Sequence, residues 1–347
     1  MRVFITGSSN SPSGGTKVMN EVACLFRAKG FESFVVTADD SGQATFLNNA
    51  APVLRCREYE KMLQEDDITI DFWPAKFFVD LAKKKINKTR IFWQHGASIP
   101  VGADLAGDEV FKKNNPYTQH WNVSKSCANY IGKKYNLNNI KIAHPFFDIE
   151  ALQKFNKEKS HIKKEGVLIL ARRGQEYIPH ILKKFSEKNK ITVMKQPFHE
   201  EDFFKALARH KFFISIDRGI TKGIFKNRIK GFIKKILSST FRDQERNRVK
   251  WIIPKGNLLG FPMPPVEAAL LGCTVITFAM GGGLEWMNES NCFLAKDRNK
   301  KSLLQKIEQA LGEEDSVLEE IGNRAHESTR IFTKEHTWDQ ISKLLNL

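Results

Sequence analysis

The 347-residue sequence has no apolar run approaching the roughly 18 residues that a membrane-spanning helix needs. Its opening, Met1 to Gly7, reads as a short strand running into a glycine turn, without the basic start and apolar core of a secretory leader. A cytoplasmic protein is the expectation. Cysteine is scarce: Cys24, Cys56, Cys127, Cys273 and Cys292 are scattered, odd in number and without metal-ligand spacing. That excludes a disulfide framework and a zinc site, and fits free thiols in a reducing compartment. The glycines nowhere take the G-x-G-x-x-G spacing of a dinucleotide loop, so no nicotinamide cofactor is expected. Acidic residues are also short, 39 against 55 lysines and arginines, and the resulting net charge of +16 favours phosphate-bearing partners: sugar nucleotides, acidic lipid surfaces or nucleic acid.

What is present is dominated by one stretch, Leu259 to Glu285. Gly260 and Pro262 punctuate a loop, Pro264 and Pro265 suit a first helical turn, and Val266 to Leu271 reads as a short apolar helix ended by Gly272. Cys273 to Ala279 is rich in β-branched residues without polar alternation, as in a parallel strand covered on both faces. Gly281, Gly282 and Gly283 follow, before Glu285. Loop, helix start, buried strand and glycine turn together suit a phosphorylated ligand, because a helix N-terminus offers unpaired amides and glycines admit close approach. Glu267, early in the helix, has the carboxylate to accept from ribose hydroxyls. An ordinary βα connection without a ligand has the same physical features.

Gly-Phe-Pro-Met-Pro-Pro-Val-Glu-Ala-Ala-Leu-Leu-Gly-Cys-Thr-Val-Ile, followed by Gly-Gly-Gly-Leu-Glu, resembles the donor-site signature of the retaining GT-B glycosyltransferases, the group 1 or family 4-like enzymes. The resemblance implies a GT-B fold, an α/β architecture of two Rossmann-like domains facing across a cleft. It implies donor contacts from Gly260, Phe261, Pro262, Met263, Glu267, Gly282, Gly283 and Glu285, with Glu267 on the nucleotide ribose. Two positions depart from the pattern. Leu259 stands where the family has a glutamate for the donor sugar's hydroxyls, and Pro262 stands where it has a glycine.

Elsewhere, Arg2 to Thr6, a serine- and glycine-rich loop, a helix over 17–29 and a strand over 33–37 make a Rossmann-like opening. Gly14 and Gly15 match the family's N-terminal glycine loop, and are otherwise plain turn residues. The strand Arg90 to Trp93 ends in Gln94-His95-Gly96, which places His95 at the rim where α/β sheets bind ligands. A lone histidine is often structural; in the family the matching one faces the donor sugar and acceptor, as a catalytic residue. Ser124 caps a helix over 125–135, and the lysine-rich 153–165 is the candidate linker. The strand Gly166 to Ala171 leads to Arg172-Arg173. Arg172 matches the family's diphosphate-binding arginine, the family's lysine is missing, and Arg173 is the nearby substitute. Paired arginines can grip phosphate in bidentate fashion, although surface arginines are also commonly just solvated.

Between the strand Phe212 to Ile216 and the signature lie about forty residues that the family lacks. Thr221 to Trp251 carries ten basic residues against two acidic, half of the net charge. Phe225, Ile229, Phe232, Ile233, Ile236 and Leu237 recur at spacings of three and four with Lys226, Arg228, Lys230, Lys234 and Lys235 between them, the pattern of a basic amphipathic helix. It either packs on the domain with a solvated face or lies on an anionic membrane surface beside a lipid-linked acceptor. Nucleic acid is not expected, since no recognisable binding module accompanies the charge.

The expected organisation is an N-terminal acceptor-side domain over 1–150, a linker over 151–165, and a nucleotide-sugar domain over 166–332 with the basic insertion at 219–251. A last helix within 333–347 is expected to return to the first domain. The expected activity is transfer of a sugar from a nucleotide-sugar to a glycan or lipid-linked acceptor, with retention, in surface polysaccharide or glycoconjugate synthesis. The donor is a substrate, so no cofactor is expected; the family works without metal, and no Asp-x-Asp is present. The alternative is a non-catalytic GT-B scaffold that binds a sugar nucleotide or a membrane glycan. The protein would be cytoplasmic, or peripheral on the inner face of the membrane.

Overall fold

The computed structural model describes residues 1–10, 13–47, 49–96, 99–101, 105–107, 109–112, 114–149, 152, 164–170, 174–194, 199–216, 250–252, 260–279 and 281–347. Arg172, Arg173, Leu259, Lys226, Arg228, Lys230, Lys234 and Lys235 lie outside them. The described residues form two compact units, and the chain passes from the first to the second between Ile142 and Ala143.

The first unit alternates strands and helices: β1 (Arg2–Gly7), α1 (Gly14–Ala28), β2 (Glu32–Thr37), β3 (Val53–Leu54), α2 (Cys56–Met62), β4 (Ile68–Asp71), α3 (Lys76–Lys83), β5 (Thr89–Gln94), β6 (Ile99–Val101), β7 (Gln119–Asn122), α4 (Lys125–Tyr135) and β8 (Ile140–Ile142). Seven of these strands make one parallel sheet in the order β3-β2-β1-β4-β5-β7-β8. Parallel strands need crossovers, and the crossovers cover both faces, which is why β1, β4 and β5 are buried nearly throughout. In α1 the face read from the sequence is the buried one, with Val18, Val22, Leu25 and Phe26 inside. Ser13 starts that helix by accepting from the Thr16 amide at 3.0 Å.

Two helices escaped the sequence reading. α2 buries only Tyr59, so it has no apolar stripe to read. α3 buries Phe78, Val79, Leu81 and Ala82, a helical spacing that was available in the sequence.

The second unit contains β9 (Val167–Leu170), α5 (Ile178–Phe185), β10 (Ile191–Met194), α6 (Glu200–Arg209), β11 (Phe212–Ser215), and then, after 219–258, which belong to the first unit, α7 (Met263–Leu270), β13 (Thr274–Phe278), β14 (Phe293–Ala295), α8 (Lys300–Gly312), α9 (Asp315–Thr329) and α10 (Lys334–Leu345). Its parallel sheet runs β10-β9-β11-β13-β14. One face packs Ile169, Ile214, Ile276 and Phe278 against Ile181 and Phe185 of α5, Leu303 and Ile307 of α8, and Leu318 of α9. β12 (Lys250–Ile252) pairs antiparallel with β6, so the chain leaving the basic stretch joins the first unit. The turn Pro145 to Asp148 belongs to the second unit, where the Phe147 amide donates to the Phe332 carbonyl at 2.9 Å and Lys334 pairs with Asp148.

The thiols are built into this framework. Cys273 is buried and donates to the Leu207 and His210 carbonyls at 3.2 and 3.3 Å. Burial raises the Cys273 and Cys292 thiols, and raises Cys56, beside Asp40, to about 12.

Asp71 ends β4 inside the first unit, accepting from the Thr6 hydroxyl at 2.6 Å and the Tyr117 hydroxyl at 2.6 Å. Burial outweighs those two donors and pushes its carboxyl up to about 6. The native state therefore holds this proton more tightly than the unfolded chain, where an aspartate titrates near 3.9. Stability from this site falls as pH rises through the window between them, and stays lower above it. In urea titrations, Asp71→Asn should gain stability over wild type by roughly 2 kcal/mol on going from pH 4.5 to pH 7.5.

Candidate active site

In open α/β sheets ligands bind at the carboxyl ends of the strands. In the second unit that edge carries the signature. α7 lies on the crossover between β11 and β13, so its first turn is at the carboxyl end of the sheet, as is the 3₁₀ turn Gly281–Glu285 that follows β13. The two loops touch. A Cβ on Gly283 would lie 3.0 Å from Cγ of Pro262 and collide with Met287, so a side chain at this position would push the loops apart. Gly281 has φ +47, a conformation that glycine takes without strain.

Phe261 is half-buried, its ring 4.6 Å from Phe332 and 6.4 Å from Phe147, centroid to centroid. Gly260 and Pro262 are half-buried beside it, and Met263 is inside. Glu267, in the second turn of α7, is only 4% exposed.

The helix start differs from the one the sequence suggested. Pro262 is the N-cap, Met263 the first helical residue, and Pro264 and Pro265 the next two. Proline has no N–H, so of the four amides a helix normally leaves free at its start, Met263 supplies the only one. The reading of this end as a rich source of amide donors is corrected: it retains the dipole and one donor.

His144 enters the site without having been read from the sequence. Its Nε2–H donates to Oε2 of Glu285 at 2.9 Å, since a carboxylate can only accept. Its ring lies 5.5 Å from Phe332 and 6.2 Å from Phe261. Phe261, Pro262, Gly283, Glu285 and His144 are thus one cluster, assembled from three separate segments. Gly282 is buried in the same turn.

In the first unit, His95 follows β5 directly. Its ring lies 4.4 Å from Phe72, tilted by 41°, and 5.7 Å from Trp93, and its Nε2 is buried with no hydrogen-bond partner among the described residues. Desolvation lowers it to about 3, so the imidazole is neutral at physiological pH. A neutral ring can exchange a hydrogen bond with a hydroxyl but contributes no positive charge to a phosphate. Gly14 and Gly15 open α1 behind the Ser13 cap. A Cβ on Gly15 would meet nothing closer than Ser13 Oγ at 3.9 Å, so packing does not require glycine there. Among the described residues no group of three or more His, Cys, Asp or Glu side chains could hold a metal ion, and no helix is long and apolar enough to cross a membrane.

No family model matches the sequence, and no curated protein matches it. Solved structures do match its fold. A glycosyltransferase from Rickettsia africae superposes with a TM-score of 0.62 at 12% identity, over 99% of this chain and 97% of that one. HepE of Anabaena, solved in complex with UDP, gives 0.65 at 12% identity over 100% of both chains. Sucrose-phosphate synthase of Thermosynechococcus elongatus gives 0.63 at 11% identity over 100% and 98%. Two parallel α/β sheets with these neighbours define the fold as GT-B, as the signature implied. At such identities the likeness establishes architecture, and chemistry has to be argued from the residues.

His95 supplies a direct check on the electrostatics. Its imidazole Cε1–H resonance should stay fixed between pH 5 and pH 8; a titration midpoint near 6.5 would show that the ring is solvated and able to carry charge.

Proposed function

We propose that this protein is a glycosyltransferase that takes a sugar from a nucleotide-sugar donor to a hydroxyl of a glycan or lipid-linked acceptor. The observation that carries the reading is the meeting of the Phe261–Met263 loop with the Gly281–Glu285 turn at the carboxyl edge of the second sheet, with Glu267 one turn further along the same helix. The neighbouring HepE structures contain UDP, UDP with glucose, or UDP-glucose, which supports a nucleoside diphosphate as the leaving group here.

In this reading Glu267 holds the ribose, and Gly282, Gly283 and Glu285 line the donor. His95, neutral and otherwise unpartnered at Nε2, offers its hydrogen bond to the transferred sugar or the incoming hydroxyl. The sugar–oxygen bond breaks with its electron pair left on the diphosphate, which departs with one negative charge more than the donor carried, and that charge has to be stabilised. With prolines removing all but one amide from the start of α7, Arg172 and Arg173 must carry most of that charge, and no metal is invoked. Retention of configuration and a place in surface polysaccharide synthesis belong to the same proposal and rest on the signature.

The proline-stripped helix start, with leucine at 259, also favours a second reading, a scaffold that binds the nucleotide-sugar without transferring it. One experiment addresses both. UDP, ADP, GDP and dTDP, each alone and as its glucose conjugate, should include at least one ligand that binds. Arg172→Ala should weaken the diphosphate about 10- to 100-fold, the value of a charge-assisted hydrogen bond. Gly15→Ala, which packing permits and helix propensity favours, should hold or raise the unfolding midpoint but lower turnover, if that glycine serves ligand approach. Binding with no nucleotide release across a panel of donor sugars would select the scaffold, and no binding at all would sink both.

The membrane contact of 219–251 is a separate proposal. Sedimentation should be stronger with anionic than with neutral vesicles and should weaken when Lys234 and Lys235 become glutamate. Equal sedimentation with both kinds of vesicle would remove it.

A further inference from the structure

We infer that His144 is a positioning residue for the donor: it fixes the Glu285 carboxylate and, through Phe261, ties the two donor loops to the segment by which the chain enters the second unit. The inference rests on the reading of Glu285 as a donor-contacting group.

The geometry is specific. Glu285 closes a turn opened by three consecutive buried glycines, and a glycine turn holds its side chains poorly by itself. His144 adds a side-chain restraint to it. Its Nε2 is 2.9 Å from Glu285 Oε2, while its Nδ1 is buried with no partner, so Glu285 is the ring's hydrogen-bonding partner among the described residues. The imidazole is itself held by the Phe332 and Phe261 rings, and Phe332 is fully buried. Ring packing thus fixes the histidine, and the histidine restrains the carboxylate. His144 is also the second residue past the point where the chain passes into the second unit, and Phe147, three residues on, is anchored to the Phe332 carbonyl. A group set between those two points is held from the backbone side as well. A positioning residue needs both features: it is rigid, and it touches a functional group without being the functional group.

The role predicts a selective loss. In this role Glu285 contacts the sugar rather than the nucleotide part of the donor, so it acts on the conjugate and not on the free nucleotide. With UDP, ADP, GDP and dTDP and their glucose conjugates as probes, His144→Ala should weaken the conjugate about 10-fold or more while changing the free diphosphate less than about 2-fold. His144→Gln, whose amide can donate from a similar reach, should recover most of the loss. Adding His144→Ala to Glu285→Ala should cost nothing further, because both act through one hydrogen bond. Independently of any ligand, the His144 Nε2–H proton should be visible in NMR spectra of the wild type and disappear in Glu285→Ala.

Equal loss for conjugate and free diphosphate would overturn the role and leave His144 a merely structural residue. So would a glutamine variant as weak as alanine, additive losses in the double variant, or no Nε2–H signal in the wild type. A wild type that binds none of the probes overturns the functional reading, and the role with it. A wild type that binds them, beside a His144→Ala variant that binds equally well, overturns the role alone.

Discussion

A parallel strand pair cannot be joined by a tight turn, and that constraint organises this protein. Every connection has to leave the carboxyl end of one strand and come back through a covering element, so loops from distant parts of the sequence gather along one edge of each sheet. β5 delivers His95 to such an edge in the first unit; β13 delivers the Gly281–Glu285 turn in the second. The strands that do this are buried on both faces, as the run Thr274 to Phe278 shows, and they have little freedom to shift. Site residues inherit their placement from strands that carry no chemistry.

Burial also decides the electrostatic character of the first unit. Asp71 and His95 are both driven towards neutrality by removal from water, the acid upward and the base downward. His95 is uncharged at physiological pH, whereas Asp71, at about 6, is largely ionised by pH 7.5. In the second unit the prolines of α7 have given up amides that a helix start ordinarily offers.

Much of this was legible in the sequence, for physical reasons. β13 and α7 could be read because a β-branched run and a proline-started apolar helix have few alternative conformations. α1 could be read because its buried face recurs at helical spacing. The donor end of α7 was misjudged although the information was present: Pro264 and Pro265 were recognised as helix-starting residues without counting the amides they remove. α2 left no signal, since one buried tyrosine makes no stripe. His144 was out of reach for another reason. Its partner is 141 residues away, and nothing in Ala-His-Pro-Phe-Phe-Asp marks that histidine as different from a turn residue.

The cysteines have a practical corollary. Cys273 and Cys292 sit inside, and Cys56 is held beside acidic neighbours, so the thiolate form that attacks electrophiles is scarce for all three near neutral pH. Maleimide chemistry would pass over them and over the fully buried Cys127, leaving the half-buried Cys24 as the position to replace. A dye placed at an introduced surface cysteine would then report from one known point, and two such points would allow distances across the molecule to be followed while a ligand is added.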